Sequence, residues 1–149
     1  MKIALASDHA GFRLKEQIKE YLDAKDLKCR DFGTYDEEPV DYPDLAYQAA
    51  DAVQRGDFDR GILICGTGIG VAITANKVRG IRAAPCSDSF SARCARAHND
   101  ANILTLGARV IEKEKALEIV DIFLQTSFEG GRHHGRLEKI HKLENNCLS

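Results

Sequence analysis

The chain has 149 residues, and its 21 lysine and arginine residues against 23 acidic residues give a net charge of −2. This balance provides no overall attraction for nucleic acid or for an anionic membrane, so any basic site must be local. Hydrophobic residues make up 44% and charged residues 30%, as in globular domains and unlike disordered or fibrous chains. We therefore expect residues 1–149 to form one self-sufficient domain.

The sequence shows no sign of a membrane or secretory address. No apolar run approaches the ~20 residues needed to span a bilayer, and Asp8 comes too early for a signal peptide. The five cysteines are Cys29, Cys65, Cys86, Cys94 and Cys147. Their odd number and lack of metal-ligand spacing favour free thiols in a reducing cytoplasm, with chemistry open for one of them.

Short apolar, β-branched runs alternate along the chain with longer segments of helical periodicity. The predicted strands cover residues 2–6, 27–31, 61–65, 81–85 and 103–106. The predicted helices lie around 14–22, from 43 to 53, after the glycine-rich turn to 76, from 87 or 88 to 97, around 117–124, and from 132 to 144. Five strands separated by helices predict a three-layer α/β/α sandwich, a Rossmann-like five-stranded parallel sheet, followed by a C-terminal helix.

The carboxyl ends of the predicted strands carry most of the polar candidates. Ligands of such sheets bind beyond these ends, where helix N–H groups point. The residues that follow a strand are Asp8 and His9, Cys65–Gly70, Ser87 and Asp88, and Gly107–Arg109. We expect all of them at one end of the sheet. His98 precedes the last strand, so it is expected at the opposite end of its own subunit. There it either ends a helix in a turn or, if it is catalytic, serves a neighbouring subunit's site.

The most informative motif is the glycine-rich stretch from Cys65 to Gly70. Alternating glycines let backbone N–H groups approach an anion, and the positive end of a following helix favours a thiolate. Val71 stands where a dinucleotide fingerprint needs glycine and a cysteine phosphatase needs arginine, and no Lys-Ser/Thr pair closes a P-loop. The motif predicts an acid/base or nucleophilic cysteine beside amide donors, with a buried structural cysteine as the alternative.

Two further groups of residues have both a structural and a functional interpretation. Asp8 is a candidate helix N-cap, and His9, near the positive end of a helix, suits a donor to an anionic ligand. Arg132 and Arg136 are four residues apart and therefore share a helix face, which suits a phosphate as well as a solvated helix start. Their position at a helix N-terminus, where positive charge is unfavourable without an anion, favours the phosphate.

The motifs together resemble the type B ribose-5-phosphate isomerase family, which includes allose- and galactose-6-phosphate isomerases. The matching stretches are Ser7–Gly11, Asp41–Pro43, Cys65–Gly70, Asn76–Lys77, Gly80–Ala83, His98–Asn102, Gly107–Val110 and Gly130–His133. They extend over essentially the whole domain in a consistent order. The resemblance implies an aldose–ketose isomerase of the pentose phosphate pathway that works through a cis-enediolate without a metal or cofactor.

The resemblance also implies roles for individual residues. Cys65 matches the base that moves a proton between C2 and C1, and Thr67 assists proton movement between O1 and O2. The amides of Gly66, Gly68 and Gly70 match those that hold the enediolate, and His98 matches the ring-opening residue, which Asp8 assists. The substrate contacts match His9, Tyr42 and Asn99. The phosphate contacts match Arg109, Arg132 and Arg136. Family sites are built from two subunits, which implies a homodimer or tetramer.

Three functions remain open at this point. The first is isomerisation of D-ribose 5-phosphate and D-ribulose 5-phosphate. The second is the same chemistry on a hexose 6-phosphate such as allose or galactose 6-phosphate. The third is a non-catalytic sugar-phosphate sensor that uses the same loop.

Overall fold

The structure of the protein is a computed structural model in which residues 1–146 are described; Cys147, to which the sequence assigns no chemical role, lies outside them. The strands are β1 (Lys2–Ser7), β2 (Lys28–Asp31), β3 (Arg60–Cys65), β4 (Ala83–Pro85) and β5 (Ile103–Gly107). The helices are α1 (Phe12–Ala24), α2 (Tyr42–Gln54), α3 (Ile69–Ala75), α4 (Ser89–Ala97), α5 (Lys113–Gln125) and α6 (Arg132–Asn146).

The strands form one parallel sheet in the order β2-β1-β3-β5-β4. Its register aligns the strand ends that matter for function, since Ser7 pairs with Ile64 and Cys65 pairs with Gly107. The predicted three-layer fold is therefore confirmed. All residues that follow a strand lie at the same end of the sheet, called here the carboxyl end.

Two apolar clusters cover the two faces of the sheet. Alternate residues of β1 and β3 point to opposite sides, so Ile62 and Ile64 join one cluster while Leu63 and Cys65 join the other. The first cluster packs against α1, α4 and α5, and the second against α2 and α3. Because Cys65 belongs to the second cluster, its side chain lies on the α2–α3 side of the sheet.

Strand β4 is shorter than the sequence predicts. Ile81 and Arg82 precede the ladder: the N–H of Ile81 closes a turn on Val78, and the N–H of Arg82 donates to the Asn102 side chain. Ile81 is nonetheless buried, because it packs into the second cluster. An apolar residue can thus be buried beside a sheet without pairing in it, which hydrophobicity alone cannot distinguish.

Helix α6 differs from the other helices in how little of it is buried. His133 is its one buried residue within the described chain, while Ile140 and Leu143 are 50% and 65% exposed. Glu144 accepts the N–H of Gly80, so the helix lies along the β4 edge of the sheet. Within residues 1–146, no helix is both long enough and apolar enough to cross a membrane.

Candidate active site

Cys65 ends β3 and is 5% exposed. Its sulfur accepts a hydrogen bond from the N–H of Gly68, with 3.2 Å between Sγ and N. A backbone donor aimed at sulfur stabilises a thiolate more than a thiol, because a hydrogen bond to a charged acceptor is the stronger one. The loop thus turns back on the cysteine that begins it.

The end of β5 holds this loop in its shape. The buried hydroxyl of Thr105 donates to the carbonyl of Gly68 at 2.7 Å. Gly68 has a left-handed φ of +79°, and a Cβ there would lie 2.9 Å from the carbonyl carbon of Leu106. Gly107 would in turn place a Cβ 2.6 Å from the carbonyl carbon of Thr67. Glycine is therefore required on both sides of this contact.

Two long side chains lie over the loop. The Arg109 guanidinium approaches Gly66 so closely that a Cβ on that glycine would be 3.2 Å from an Arg109 nitrogen. The Tyr42 ring covers Gly70 in the same way, with its hydroxyl 2.9 Å from the corresponding Cβ position. Arg109 therefore belongs to the same end of the sheet as Cys65 in its own chain.

Asp8 follows β1 and is 7% exposed. Its N–H donates to Ile64, and its carboxylate accepts the N–H of Gly11 at 3.0 Å. The expectation that Asp8 caps a helix is wrong, because Gly11 is the N-cap of α1 and the helix begins at Phe12. Asp8 instead closes the short turn between β1 and α1, next to the β3 strand that ends in Cys65.

His9 is half-buried in that same turn. Its Nδ1 accepts the N–H of Val40 at 3.1 Å. A neutral imidazole whose Nδ1 accepts carries its proton on Nε2, so His9 presents a donor on its other side. The contact also brings the loop between β2 and α2 to the carboxyl end, and no local motif of the sequence predicts this pairing.

The predicted site residues do not all meet within one chain. Asp8, His9, Tyr42, the Cys65 loop and Arg109 gather at the carboxyl end. His98 is the C-cap of α4, and Asn99 follows it, at the opposite end of the sheet. The structure therefore confirms the expected position of His98. It also places Arg132 and Arg136 at the His98 end, apart from Arg109.

The turn that carries His98 and Asn99 is held by a network of charged groups. Arg96, only 3% exposed, donates to the Asp100 carboxylate at 2.8 Å and to the Ala101 carbonyl at 2.7 Å. Arg82 donates to the Asp100 carbonyl at 2.9 Å from the other side. Asp100 has a left-handed φ of +44°, a strained conformation that these contacts maintain.

The first turn of α6 packs against the same turn. The His98 and His133 rings are stacked, with centroids 4.3 Å apart and planes 14° from parallel. The N–H of Glu129 donates to the carbonyl of Ala97 at 3.0 Å. Arg132 and Arg136, the charged residues on either side of His133, are exposed. His133 lies inside the basic stretch of the sequence, but only its burial in the structure distinguishes it from His134.

One group of side chains has a composition that could bind a metal ion. Donor atoms of His98, Glu129 and His133 lie within 4.8 Å of one another. A metal ligand lone pair lies in the plane of its imidazole, and two stacked planes 14° apart do not converge on a common point. The ring arrangement therefore does not suit a shared metal ion.

The remaining described cysteines lie outside this loop. Burial, followed by the nearby charge of Asp88, raises the pKa of Cys86 to about 11. Burial also raises the pKa of Cys29. A groove of about 710 Å³ lies between α6 and the β4 edge and is lined in part by Asn99. Cys65 is not among the residues that line it.

Fold and site together define a Rossmann-like α/β protein with a cysteine and an amide-rich loop at the strand ends. The sequence profile of the Ribose/Galactose Isomerase family matches residues 3–140. The chain belongs to this family.

Relatives and solved structures match over nearly the full length. The chain is 49% identical to ribose-5-phosphate isomerase B of Escherichia coli over 143 residues, 96% of each chain. It is also 49% identical to a D-erythrulose-4-phosphate isomerase of Pectobacterium atrosepticum, over 94% of this chain and 93% of that one. The structure of Clostridium thermocellum ribose-5-phosphate isomerase B superposes with a TM-score of 0.97 at 52% identity, covering 98% of this chain and 99% of that one.

Proposed function

We propose that the protein interconverts D-ribose 5-phosphate and D-ribulose 5-phosphate through a cis-enediolate, with Cys65 as the base. The observation that carries the proposal is the buried Cys65 sulfur with the Gly68 N–H aimed at it, at the ligand-binding end of the sheet. The relatives named ribose-5-phosphate isomerase B support the choice of substrate.

In the proposal, two proton transfers convert the open-chain aldose to the ketose. The Cys65 thiolate removes the proton from C2 of the open-chain aldose and returns it to C1. The Thr67 hydroxyl, exposed above the same loop, passes a proton from O2 to O1. Amides of Gly66, Gly68 and Gly70 stabilise the negative charge on the intermediate, and each such donor is typically worth ~2.7–4 kcal/mol in the transition state.

Ring opening must come before this step, because the furanose has no free carbonyl. In the proposal, His98 takes the proton of O1 and returns it to O4 as the C1–O4 bond breaks, and Asp8 assists. Asn99, Tyr42 and His9 contact the sugar, with His9 donating through Nε2. The exposed guanidinium groups of Arg109, Arg132 and Arg136 bind the phosphate.

We further propose that a second copy of the chain completes each site. In one chain the base and the ring-opening histidine lie at opposite ends of the sheet. Exposed apolar side chains accompany both halves: Ile69 and Ile73 are each 57% exposed on α3, and Ile140 and Leu143 are exposed on α6. Such surfaces mark interfaces between proteins. A homodimer in which His98 of one copy reaches the Cys65 loop of the other accounts for both observations.

A pair of cysteine variants tests the base. Cys65→Ala is expected to lower kcat by about 10²–10⁴-fold, the usual contribution of a general base. Cys94→Ala, on the half-buried Cys94 of α4, is the matched control and is expected to retain activity. Binding of ribose 5-phosphate by calorimetry and exchange of the C2 proton with solvent separate chemistry from binding. A folded Cys65→Ala variant with near-normal turnover contradicts the assignment.

A substrate panel tests the carbon number. Equal identity to relatives named for five-carbon and four-carbon substrates means that identity does not decide it. We expect the highest kcat/KM with ribose 5-phosphate when erythrose 4-phosphate, ribose 5-phosphate and allose 6-phosphate are compared. A preference for the hexose identifies a hexose-6-phosphate isomerase, and binding without C2 proton exchange identifies a sensor.

A further inference from the structure

His133 is a buried histidine to which the proposed reaction gives no task. It is 5% exposed and is the one buried residue of α6 within residues 1–146. Its neighbour His134 is exposed, with Nε2 3.4 Å from the Glu138 carboxylate on the surface. A helix that lies mostly on the surface therefore buries one imidazole ring, and it buries that ring against His98.

The contact between the two histidines is face to face. The centroids are 4.3 Å apart and the planes are 14° from parallel, so His98 cannot tilt toward His133 without a clash. On the backbone, the Glu129 N–H holds the Ala97 carbonyl beside the stack. The Arg96 guanidinium donates to the Thr126 carbonyl at 3.3 Å and so binds the start of the same connection. The segment that leads into α6 is thus fixed to the end of α4, which sets the position of the stack.

The surroundings favour the neutral form of His133. Burial, followed by the charges of His98 and Arg132, lowers the pKa of His133, while Glu129 opposes the shift and Arg136 adds to it. The Glu129 carboxylate lies 3.7 Å from His133 Nε2, too far for a hydrogen bond.

We infer that His133 is a positioning residue for His98: the stacked ring fixes the plane in which His98 presents its nitrogen to the oxygens of a sugar ring. The inference rests on the proposed ring-opening role of His98. It adds that His133 itself takes no proton and touches no substrate. The effect of His133 is expected on ring opening alone, because its contact is with His98 and not with the groups that carry out the isomerisation.

Ring opening can be measured without isomerisation. In Cys65→Ala the proposed base is missing, so bound ribose 5-phosphate opens and recloses its ring without forming product. Opening and reclosing interconverts the α and β anomers, and exchange NMR of the C1 proton reports the rate. We expect Cys65→Ala to accelerate this exchange over the protein-free rate. Adding His133→Ala is expected to lower the acceleration by about 10–100-fold, since small misplacements of a reacting group have effects of this size.

Two further variants separate stacking from other effects. His133→Phe keeps an aromatic face without a nitrogen, so Cys65→Ala/His133→Phe is expected to exchange within about threefold of Cys65→Ala, because the stack is retained. The matched control is His134→Ala in the same background, since that histidine is the exposed neighbour; it is expected to leave the rate unchanged. Calorimetry of ribose 5-phosphate binding is expected to give the same affinity for all of these variants.

The outcomes separate failure of this inference from failure of the proposed function. If His133→Ala behaves like His134→Ala, or if His133→Phe is as impaired as His133→Ala, positioning by the stack is overturned. It is also overturned if His133→Ala weakens binding and exchange together, because the residue then anchors α6 as a whole. If Cys65→Ala shows no acceleration, or keeps it when His98→Asn is added, the ring-opening role of His98 fails instead.

Discussion

Cys65 and Cys86 have almost the same exposure, 5% and 6%, but different surroundings. The sulfur of Cys65 accepts a hydrogen bond from the N–H of Gly68. The sulfur of Cys86 faces the Ala84 carbonyl at 3.7 Å, an acceptor that favours the thiol. Burial and the Asp88 charge act in the same direction and raise the pKa of Cys86 to about 11.

These surroundings predict selective alkylation. At pH 8, iodoacetamide is expected to modify Cys65 in the folded protein and to remove activity in step. Cys86 is expected to react at least about tenfold more slowly, because its thiolate is scarce below its pKa. Peptide mass spectrometry at several times gives both rates. Equal labelling of the two buried thiols contradicts the difference in their environments.

His133 makes stability depend on pH. Its pKa lies below the usual value mainly because the ring is buried, so the unfolded chain takes up a proton more readily than the folded one. The stability it contributes is complete above the unfolded pKa of about 6.5 and is lost as the pH falls through the lower, folded value.

Thermal unfolding tests this dependence. Between pH 7.5 and 5, the Tm of His133→Phe is expected to fall less than that of the unaltered protein, whereas His134→Ala should follow the unaltered protein. Parallel curves for His133→Phe and the unaltered protein rule out a titrating His133 contribution.

At this scale the sequence locates Asp8, His9 and Arg109 near Cys65 because they follow predicted strands. The same rule separates His98 from them. It does not identify His133 or the Val40 contact of His9, since both depend on segments that meet only in the folded chain. For Asp8 the sequence predicts a role that the structure does not show: its residue type suits a helix N-cap, but helix α1 begins one turn later.

Among the elements, the loop between β3 and α3 depends most strictly on its glycines. Gly68 and Gly56 have nearly the same left-handed φ, +79° and +82°. A Cβ on Gly56 meets nothing within 4 Å, whereas one on Gly68 lies 2.9 Å from the Leu106 backbone. A side chain would therefore be penalised by the left-handed conformation at both positions, but by a steric clash only at Gly68.

This pair predicts two sizes of effect. Gly56→Ala is expected to lower the free energy of unfolding by about 1 kcal/mol and to leave kcat unchanged, since only the left-handed conformation is penalised. Gly68→Ala is expected to lose a further ~1–3 kcal/mol through overpacking and to lower kcat, because the donor to Cys65 shifts. Urea unfolding and steady-state kinetics measure both. Similar values for the two variants contradict the close packing of the loop against β5.

The predicted limits of a strand agree with the structure where its residues are both buried and paired within the sheet. β1, β3 and β5 are apolar runs in the middle of the sheet, and their predicted limits hold to within one residue. β4 is an edge strand, where the Asn102 side chain takes the place of a partner strand for Arg82. Helix α6 has an apolar side at helical spacing, but Ile140 and Leu143 remain exposed, so the pattern gives the helix and not what covers it.

For the whole molecule, the two ends of the sheet carry complementary halves of the proposed site. Mixing variants tests this division, because each variant damages a different half. Cys65→Ala and His98→Asn are each expected to be nearly inactive alone. After both are unfolded and refolded together, about a quarter of the original activity is expected, since half of the dimers are mixed and each of these holds one intact site.

Two results contradict the shared site. One is the absence of any recovery when sedimentation shows that mixed dimers have formed. The other is full activity in a protein that sediments as a monomer. Mixing Cys65→Ala with Thr67→Ala is the control: both changes fall in the same half, so every site in a mixed dimer carries one of them and no recovery is expected.

The sequence predicts the parallel sheet and thereby the end at which each strand-following residue lies. It does not predict where Arg132 and Arg136 lie, because they follow a helix and a loop rather than a strand. Their place depends on the packing of Glu129 and His133 against the end of α4.

The separation of His98 from Cys65 within one chain also determines how the rate responds to dilution. On the proposed mechanism a lone chain has no complete set of groups, so the catalyst is the pair. Well below the dissociation constant of that pair, the number of pairs grows with the square of the protein concentration, and the rate is second order in enzyme. A cell that doubles the amount of this chain at such concentrations therefore gains about four times the flux.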